Sequence, residues 1–101
     1  MEVVLVHWHI KPDYVDEFKG SRADLSGKPG FLGEELYRTE SRHYGVISFL
    51  NVGRWVRRED FYRAFDVEPG AEIPIKPFEA SPRTREWLAW VAIDPSPEGA
   101  A

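Results

Sequence analysis

Residues 3–10 are almost all β-branched or aromatic, and they are apolar on both sides. At a spacing of two, Val4, Val6, Trp8 and Ile10 fall on one face, and Val3, Leu5, His7 and His9 on the other. A half-solvated strand alternates apolar with polar; this run does not, so it reads as a strand buried on both faces. The chain has 101 residues. A single domain of that size buries only about two thirds of its unfolded surface. Covering two faces of a sheet from so short a sequence is the problem this fold must solve.

The rest of the sequence divides cleanly around that strand. Lys11, Pro12 and Asp13 stop it, and Pro followed by Asp suits the first turn of a helix. The spacing of Val15, Phe18 and Leu25 predicts a helix over residues 14–25. The glycines and proline of 26–30 end it. A second strand is expected over 31–38 and a third over 43–55, joined by the polar turn 39–42 into an antiparallel hairpin. A short helix over 57–65 follows, with Phe61 and Phe65 on one face. Residues 67–82 hold four prolines and read as an irregular loop, long enough to be a lid or a partner arm. A last strand is expected over 85–94, with Trp87 and Trp90 on opposite faces. The expected organisation is one domain over 1–95 and a disordered tail over 96–101.

The resulting order is βαββαβ, an α+β ferredoxin-like pattern with two helices on one face of a four-stranded antiparallel sheet. The other sheet face then needs cover of its own. A second copy of the chain would supply it, giving a homodimer with a barrel-like interior. Alternatively, the 67–82 loop folds back over the sheet.

Composition narrows the function. Aromatic residues make up 14% of the chain, including four Trp. Each buries roughly 150–250 Å², more than so small a core requires, which points to a pocket or a subunit contact. The net charge of −4 argues against nucleic acid, which needs a basic stripe. Arg54, Arg57, Arg58 and Arg63 are interleaved with Glu59, Asp60 and Asp66 as on an ordinary mixed-charge surface. With no Cys there is no thiolate chemistry and no Cys-based zinc site. The first residues carry neither a basic leader nor a long apolar run, so a soluble cytoplasmic protein without membrane partners is expected.

Three stretches carry a family resemblance: Lys28-Pro-Gly-Phe-Leu-Gly-Glu-Glu-Leu-Tyr-Arg38, Tyr44-Gly-Val-Ile-Ser-Phe-Leu-Asn-Val-Gly-Arg-Trp55 and Glu59-Asp-Phe-Tyr-Arg-Ala-Phe65. A Pro-Gly turn opens a strand, the next strand ends on Trp, and an amphipathic helix begins within a few residues. This resembles the antibiotic biosynthesis monooxygenase-like family of the dimeric α+β barrel superfamily. The resemblance implies pairing of two copies sheet to sheet. It also implies a range of activities, among them cofactor-free oxygenation of aromatic molecules, quinol oxidation, haem degradation and isomerisation. Fold does not choose among these. Haem-degrading relatives carry an Asn, a Trp and a His at positions that fall here near Val6, at Ala64 and near Pro74, so haem degradation is not expected.

The resemblance therefore implies a small cofactor-independent monooxygenase acting on an aromatic or quinol-type molecule. The alternative is a non-catalytic ligand-binding or interaction module on the same dimeric barrel. An oxygenase of this kind must deprotonate its substrate, hold the ring and stabilise the anion. His7, His9 and Asn51 are the candidate catalytic residues. Trp8, Phe18, Tyr37, Arg38, Trp55, Phe61, Tyr62 and Phe65 are the candidate substrate-binding residues, with a pocket expected within Trp8, Phe18, Asn51, Phe61 and Phe65. His7 and His9 lie roughly 7 Å apart along one strand face. With Glu34 or Glu35 they would make a partial metal site; hydrogen bonding across a dimer interface is the plainer reading. No metal and no cofactor are expected, and no Gly-x-Gly-x-x-Gly occurs. His43 belongs to a hairpin turn and is expected to be exposed.

Overall fold

The computed structural model describes residues 1–39 and 45–93. Strand β1 (Glu2–Ile10) leads into a single 3-10 turn (Pro12–Tyr14) and helix α1 (Val15–Gly20). Strands β2 (Phe31–Arg38) and β3 (Ile47–Trp55) follow, then helix α2 (Arg58–Phe65) and strand β4 (Glu79–Leu88). The sheet order is β2-β3-β1-β4, antiparallel throughout. This is the ferredoxin-like α+β arrangement expected from the order of elements. The central strand β1 pairs with β3 from Glu2↔Trp55 to Ile10↔Ile47 and with β4 from Val3↔Leu88 to Ile10↔Glu79.

Two aromatic clusters seat the helices on the same sheet face. Val4, Val6, Leu25, Trp55 and Phe61 form one; Ile10, Phe18, Phe49 and Phe78 form the other. Trp8 touches both. Rings meet edge-on or tilted, as their quadrupoles favour: Trp55 and Phe61 lie 5.8 Å apart at 89°, Phe18 and Phe78 5.7 Å apart at 62°.

The start of α2 depends on a glycine twenty-eight positions before it. Asp60 Oδ2 accepts the backbone N–H of Arg57 at 3.2 Å and satisfies one of the helix's free donors. Gly30, at φ +79°, packs directly on that buried carboxylate; a Cβ there would lie 2.1 Å from Asp60 Oδ2. The Pro29-Gly30 turn thus has a packing role as well as a conformational one. The Gly30 carbonyl also accepts the Val56 N–H at 2.8 Å, fixing the turn to the end of β3.

Three elements differ from the sequence expectation, the mildest being β3, which begins at Ile47 with residues 45 and 46 outside it. Helix α1 stops at Gly20 rather than running to residue 25. The Ser21 hydroxyl donates to the Phe18 carbonyl at 2.7 Å and closes the last turn. Leu25 is still buried, but arrives on an irregular segment held by an Asp24–Ser26 turn. Strand β4 begins six residues earlier than expected and ends at Leu88. It can extend only as far as β1 offers partners, and β1 begins at Glu2. Pro82 is tolerated because β4 is an edge strand and its register shifts between His7 and His9. The irregular loop is correspondingly shorter and ends before Glu79. Trp90, Val91 and Ile93, expected inside a strand, are 89%, 73% and 90% exposed. His43 and the 96–101 tail lie outside the described residues.

The face of the sheet away from the helices carries Val3, Leu5, His7 and His9 from β1, with Leu50 and Val52 opposite them on β3. Among the described residues no helix lies over it. Among the described residues no helix is long and apolar enough to cross a membrane.

Candidate functional site

A cavity of about 570 Å³ opens between the helical face of the sheet and the two helices. That is within the usual range for small-molecule sites. Its floor is Val4, Val6 and Trp8 of β1 with Asn51 and Trp55 of β3; Phe18 of α1 and Phe61 and Phe65 of α2 wall it. All five residues within which a pocket was expected line this space. Most of the lining surface is apolar and aromatic, and the polar side chains enter from two sides.

Gly53 is not itself part of the lining but lies between two residues that are. It stands between Asn51 and Trp55 on the inward face of β3 and carries no side chain. A Cβ there would meet Val4 Cγ1 at 3.1 Å, Trp55 Nε1 at 3.4 Å and Asn51 Nδ2 at 3.7 Å. Two N–H donors therefore flank Gly53, with the Val4 methyl close beside them. Trp55 is 1% exposed, and its Nε1 has no hydrogen-bond partner among the described residues.

The orientation of Asn51 follows from its partner. Arg22 Nη2 donates to Asn51 Oδ1 at 2.8 Å. A guanidinium only donates, so the amide oxygen must face it and the NH₂ must face Gly53. The same Nη2 lies 2.9 Å from Glu34 Oε1. Arg22, Asn51 and Glu34 make one polar wall of the cavity.

The opposite wall comes from β4. Arg83 donates from Nε to Glu79 Oε1 at 3.1 Å and from Nη2 to Glu79 Oε2 at 2.8 Å. Its guanidinium lies over Trp8, 4.2 Å from the ring centroid. Glu79 also accepts the Lys76 N–H at 2.6 Å. Burial alone would raise its carboxyl, but the Arg83 hydrogen bonds, the Lys76 N–H and the Arg83 charge together hold it below its ordinary value of 4.5. Arg85, two residues on, lies over Phe61 and Tyr62 at 5.2 and 5.3 Å.

The remaining sequence candidates are elsewhere. His7 and His9 share the opposite sheet face with Leu5 and Leu50, and neither lines the cavity. Their rings lie 4.8 Å apart; His9 Nδ1 is 3.2 Å from Ser48 Oγ, and His7 Nε2 is buried with no partner among the described residues. Tyr37 is exposed on β2, and Arg38 is exposed at its end. Tyr62 sits behind the cavity wall, accepting from Trp87 Nε1 at 3.1 Å. Glu34 and Glu35 are paired with Arg22 and Arg54, not with the histidines. Sequence reasoning missed Arg22, Arg83 and Arg85, and named Glu34 only as a partner for the histidines. The two arginines of β4 alternate with Trp87 at a spacing of two, a signal readable once the strand is started at Glu79.

No family model matches the sequence. No curated protein matches it either. Among solved structures, the chain is similar to a crystal structure of an antibiotic biosynthesis monooxygenase, with a TM-score of 0.66 and 18% identity over 91% of this chain and 100% of that one. The chain therefore has the antibiotic biosynthesis monooxygenase-like fold, and its aromatic cavity lies within that fold.

Proposed function

We propose that this protein binds a planar aromatic molecule through a hydroxyl or carbonyl oxygen seated over Gly53, and oxygenates it without a bound cofactor. The observation that carries the reading is the pair of N–H donors, Asn51 Nδ2 and Trp55 Nε1, which flank Gly53 on two residues that line an aromatic cavity. Both donors are pre-positioned, one by Arg22 and one by burial in the core. Such donors favour the substrate's enolate or phenolate over its neutral form, and they act most strongly where water is scarce. The proton passes to Glu34, the carboxylate among the lining residues. The flat walls of Trp8, Phe18 and Phe61 hold the ring. The likeness in fold to an antibiotic biosynthesis monooxygenase supports the same class of chemistry.

For an anthrone the balance is simple. The methylene C–H bond breaks and its electron pair reduces dioxygen, forming a C–O bond to a hydroperoxide. Loss of water from that hydroperoxide leaves the quinone carbonyl. One anthrone and one dioxygen give one anthraquinone and one water. The test is oxygen uptake with a panel of anthrones and dihydroxyanthracenes. The expected result is enzyme-dependent uptake equal to quinone formed; no turnover across the panel defeats the reading.

A second reading is favoured by one specific observation: His7 and His9 do not line the cavity, so among the described residues no imidazole reaches a ligand there. A non-catalytic binding module would keep the same donors and need no base. Tight binding of aromatic hydroxyl compounds without oxygen uptake would favour it.

We further propose that the chain works as a homodimer joined through the open sheet face. Among the described residues, Leu5, Leu50 and Val52 sit there without helical cover, and His7 Nε2 has no partner. Exposed Trp90, Val91 and Ile93 extend beyond the end of the sheet. Apolar surface of this kind marks a contact.

A further inference from the structure

We infer that the molecule held in the cavity is an aromatic acid, its carboxylate bound by Arg85. This rests on the aromatic-site reading above and names the substrate class for it.

The argument is one of charge. The chain is acidic, at −4, yet its cavity is not. Arg22, Lys76, Arg83 and Arg85 line it, against Glu34 alone. Arg22 is neutralised by Glu34, and Arg83 by Glu79 behind it. Arg85 has no carboxylate partner among the described residues, and neither has Lys76. Lys76 is exposed at the rim. Arg85 is half-buried and aimed across the face of α2, with its guanidinium carbon 5.2 Å from the Phe61 ring. Stacking on aromatic rings holds a guanidinium in a defined plane while leaving its N–H edge unused. That edge is a fork suited to a carboxylate, which it binds by two parallel charge-assisted hydrogen bonds.

The spacing fits a fused-ring acid. Arg85 and Asn51 pair with the two sides of the same residue, Val6, on adjacent strands of the sheet. With neighbouring strands about 4.8 Å apart, their backbones stand roughly 10 Å from each other. An oxygen over Gly53 and a carboxylate at Arg85 therefore mark the two ends of one planar molecule lying over Val6. Arg85 acts as the anchor that orients the ring, and Asn51 and Trp55 act on the reacting oxygen.

The test is calorimetric titration of the intact protein with 5-hydroxy-1-naphthoate and with 1-naphthol. The acid is expected to bind about tenfold more tightly than the naphthol, the effect of one charge-assisted pair in a partly solvated site. Arg85→Gln is expected to bring the two within about twofold. Arg85→Lys, which keeps the charge and loses the fork, is expected to retain a preference of about threefold. The wild-type ratio and the Lys variant carry the test even where the Gln chain does not fold. Equal wild-type binding of acid and naphthol, or a preference that survives in Arg85→Gln, overturns the anion site and leaves the aromatic reading standing. Binding of neither compound overturns both.

Discussion

Arg22 and Asn51 are joined side chain to side chain, Nη2 to Oδ1 at 2.8 Å, across the gap between the end of α1 and the middle of β3. The bond ties an irregular segment to the sheet, and it decides which end of the amide faces the cavity. Asn51→Ala is therefore expected to weaken 1-naphthol binding by about tenfold, roughly 1.4 kcal/mol, near the upper end for one neutral hydrogen bond. Arg22→Met keeps both N–H donors, yet frees the amide to turn. Calorimetry should give a loss of about threefold for it, with the naphthol affinity recovered in Arg22→Lys.

Gly53 separates ligand binding from stability. A Cβ at this position is crowded but unstrained, and its nearest neighbours are the Val4 methyl and the two donors. Gly53→Ala is expected to change unfolding free energy in urea by no more than about 1 kcal/mol, and to abolish measurable naphthol binding by occupying the oxygen's place. Full binding by a folded Gly53→Ala chain would remove the donor pair from the account.

Gly30→Ala is expected to do the reverse. It combines a positive φ with a Cβ 2.1 Å from the buried Asp60 carboxylate, so either the turn or the cap of α2 must give way. Urea unfolding should record a loss of about 3 kcal/mol or more, the sum of backbone strain and a lost cap.

The Glu79–Arg83 pair sets the acid side of the stability profile. The Glu79 carboxyl is held below its ordinary 4.5, so the folded state binds fewer protons than the unfolded state near that pH. The stabilisation is full above the ordinary value and is lost as pH falls through the lowered one. Arg83→Met leaves a buried carboxylate without its cation and should cost about 3 kcal/mol at pH 7, the lower end for a broken buried pair. Below pH 4 the gap between wild type and Arg83→Met should narrow. A gap that stays constant from pH 7 to pH 3 in urea titrations would contradict this.

Much of the fold was legible because the hydrophobic period was strong. Residues 3–10 and the hairpin 31–55 announce themselves, and Phe61 and Phe65 mark α2. Strand β4 was misread for a physical reason. Trp87, Ala89, Val91 and Ile93 alternate as a strand should, whereas the true strand opens on polar residues and contains Pro82. Its position is set by the nine-residue length of β1, a tertiary constraint that local pattern does not carry. Leu25 extended the apparent period of α1 past the Gly20 that ends it. At the site, the aromatic residues were readable and the arginines were not, since an isolated Arg reads as surface. The separation of His7 and His9 from the cavity was readable: period two puts them with Val3 and Leu5, opposite Val4 and Val6.

The open sheet face predicts the assembly. Leu50→Lys places a charge beside its β1 partner His7 at the centre of that face. Sedimentation should give the wild-type chain about twice its 11.6 kDa mass and the variant a single copy, with the cavity still binding naphthol in both.

The most direct test of the donor pair over Gly53 is a crystal structure of the protein with 1-naphthol bound. The account predicts the naphthol oxygen within about 3.2 Å of both Asn51 Nδ2 and Trp55 Nε1, with the ring against Trp8 and Phe61. A naphthol oriented with its oxygen toward solvent, or seated on the other face of the sheet beside His7 and His9, would contradict it.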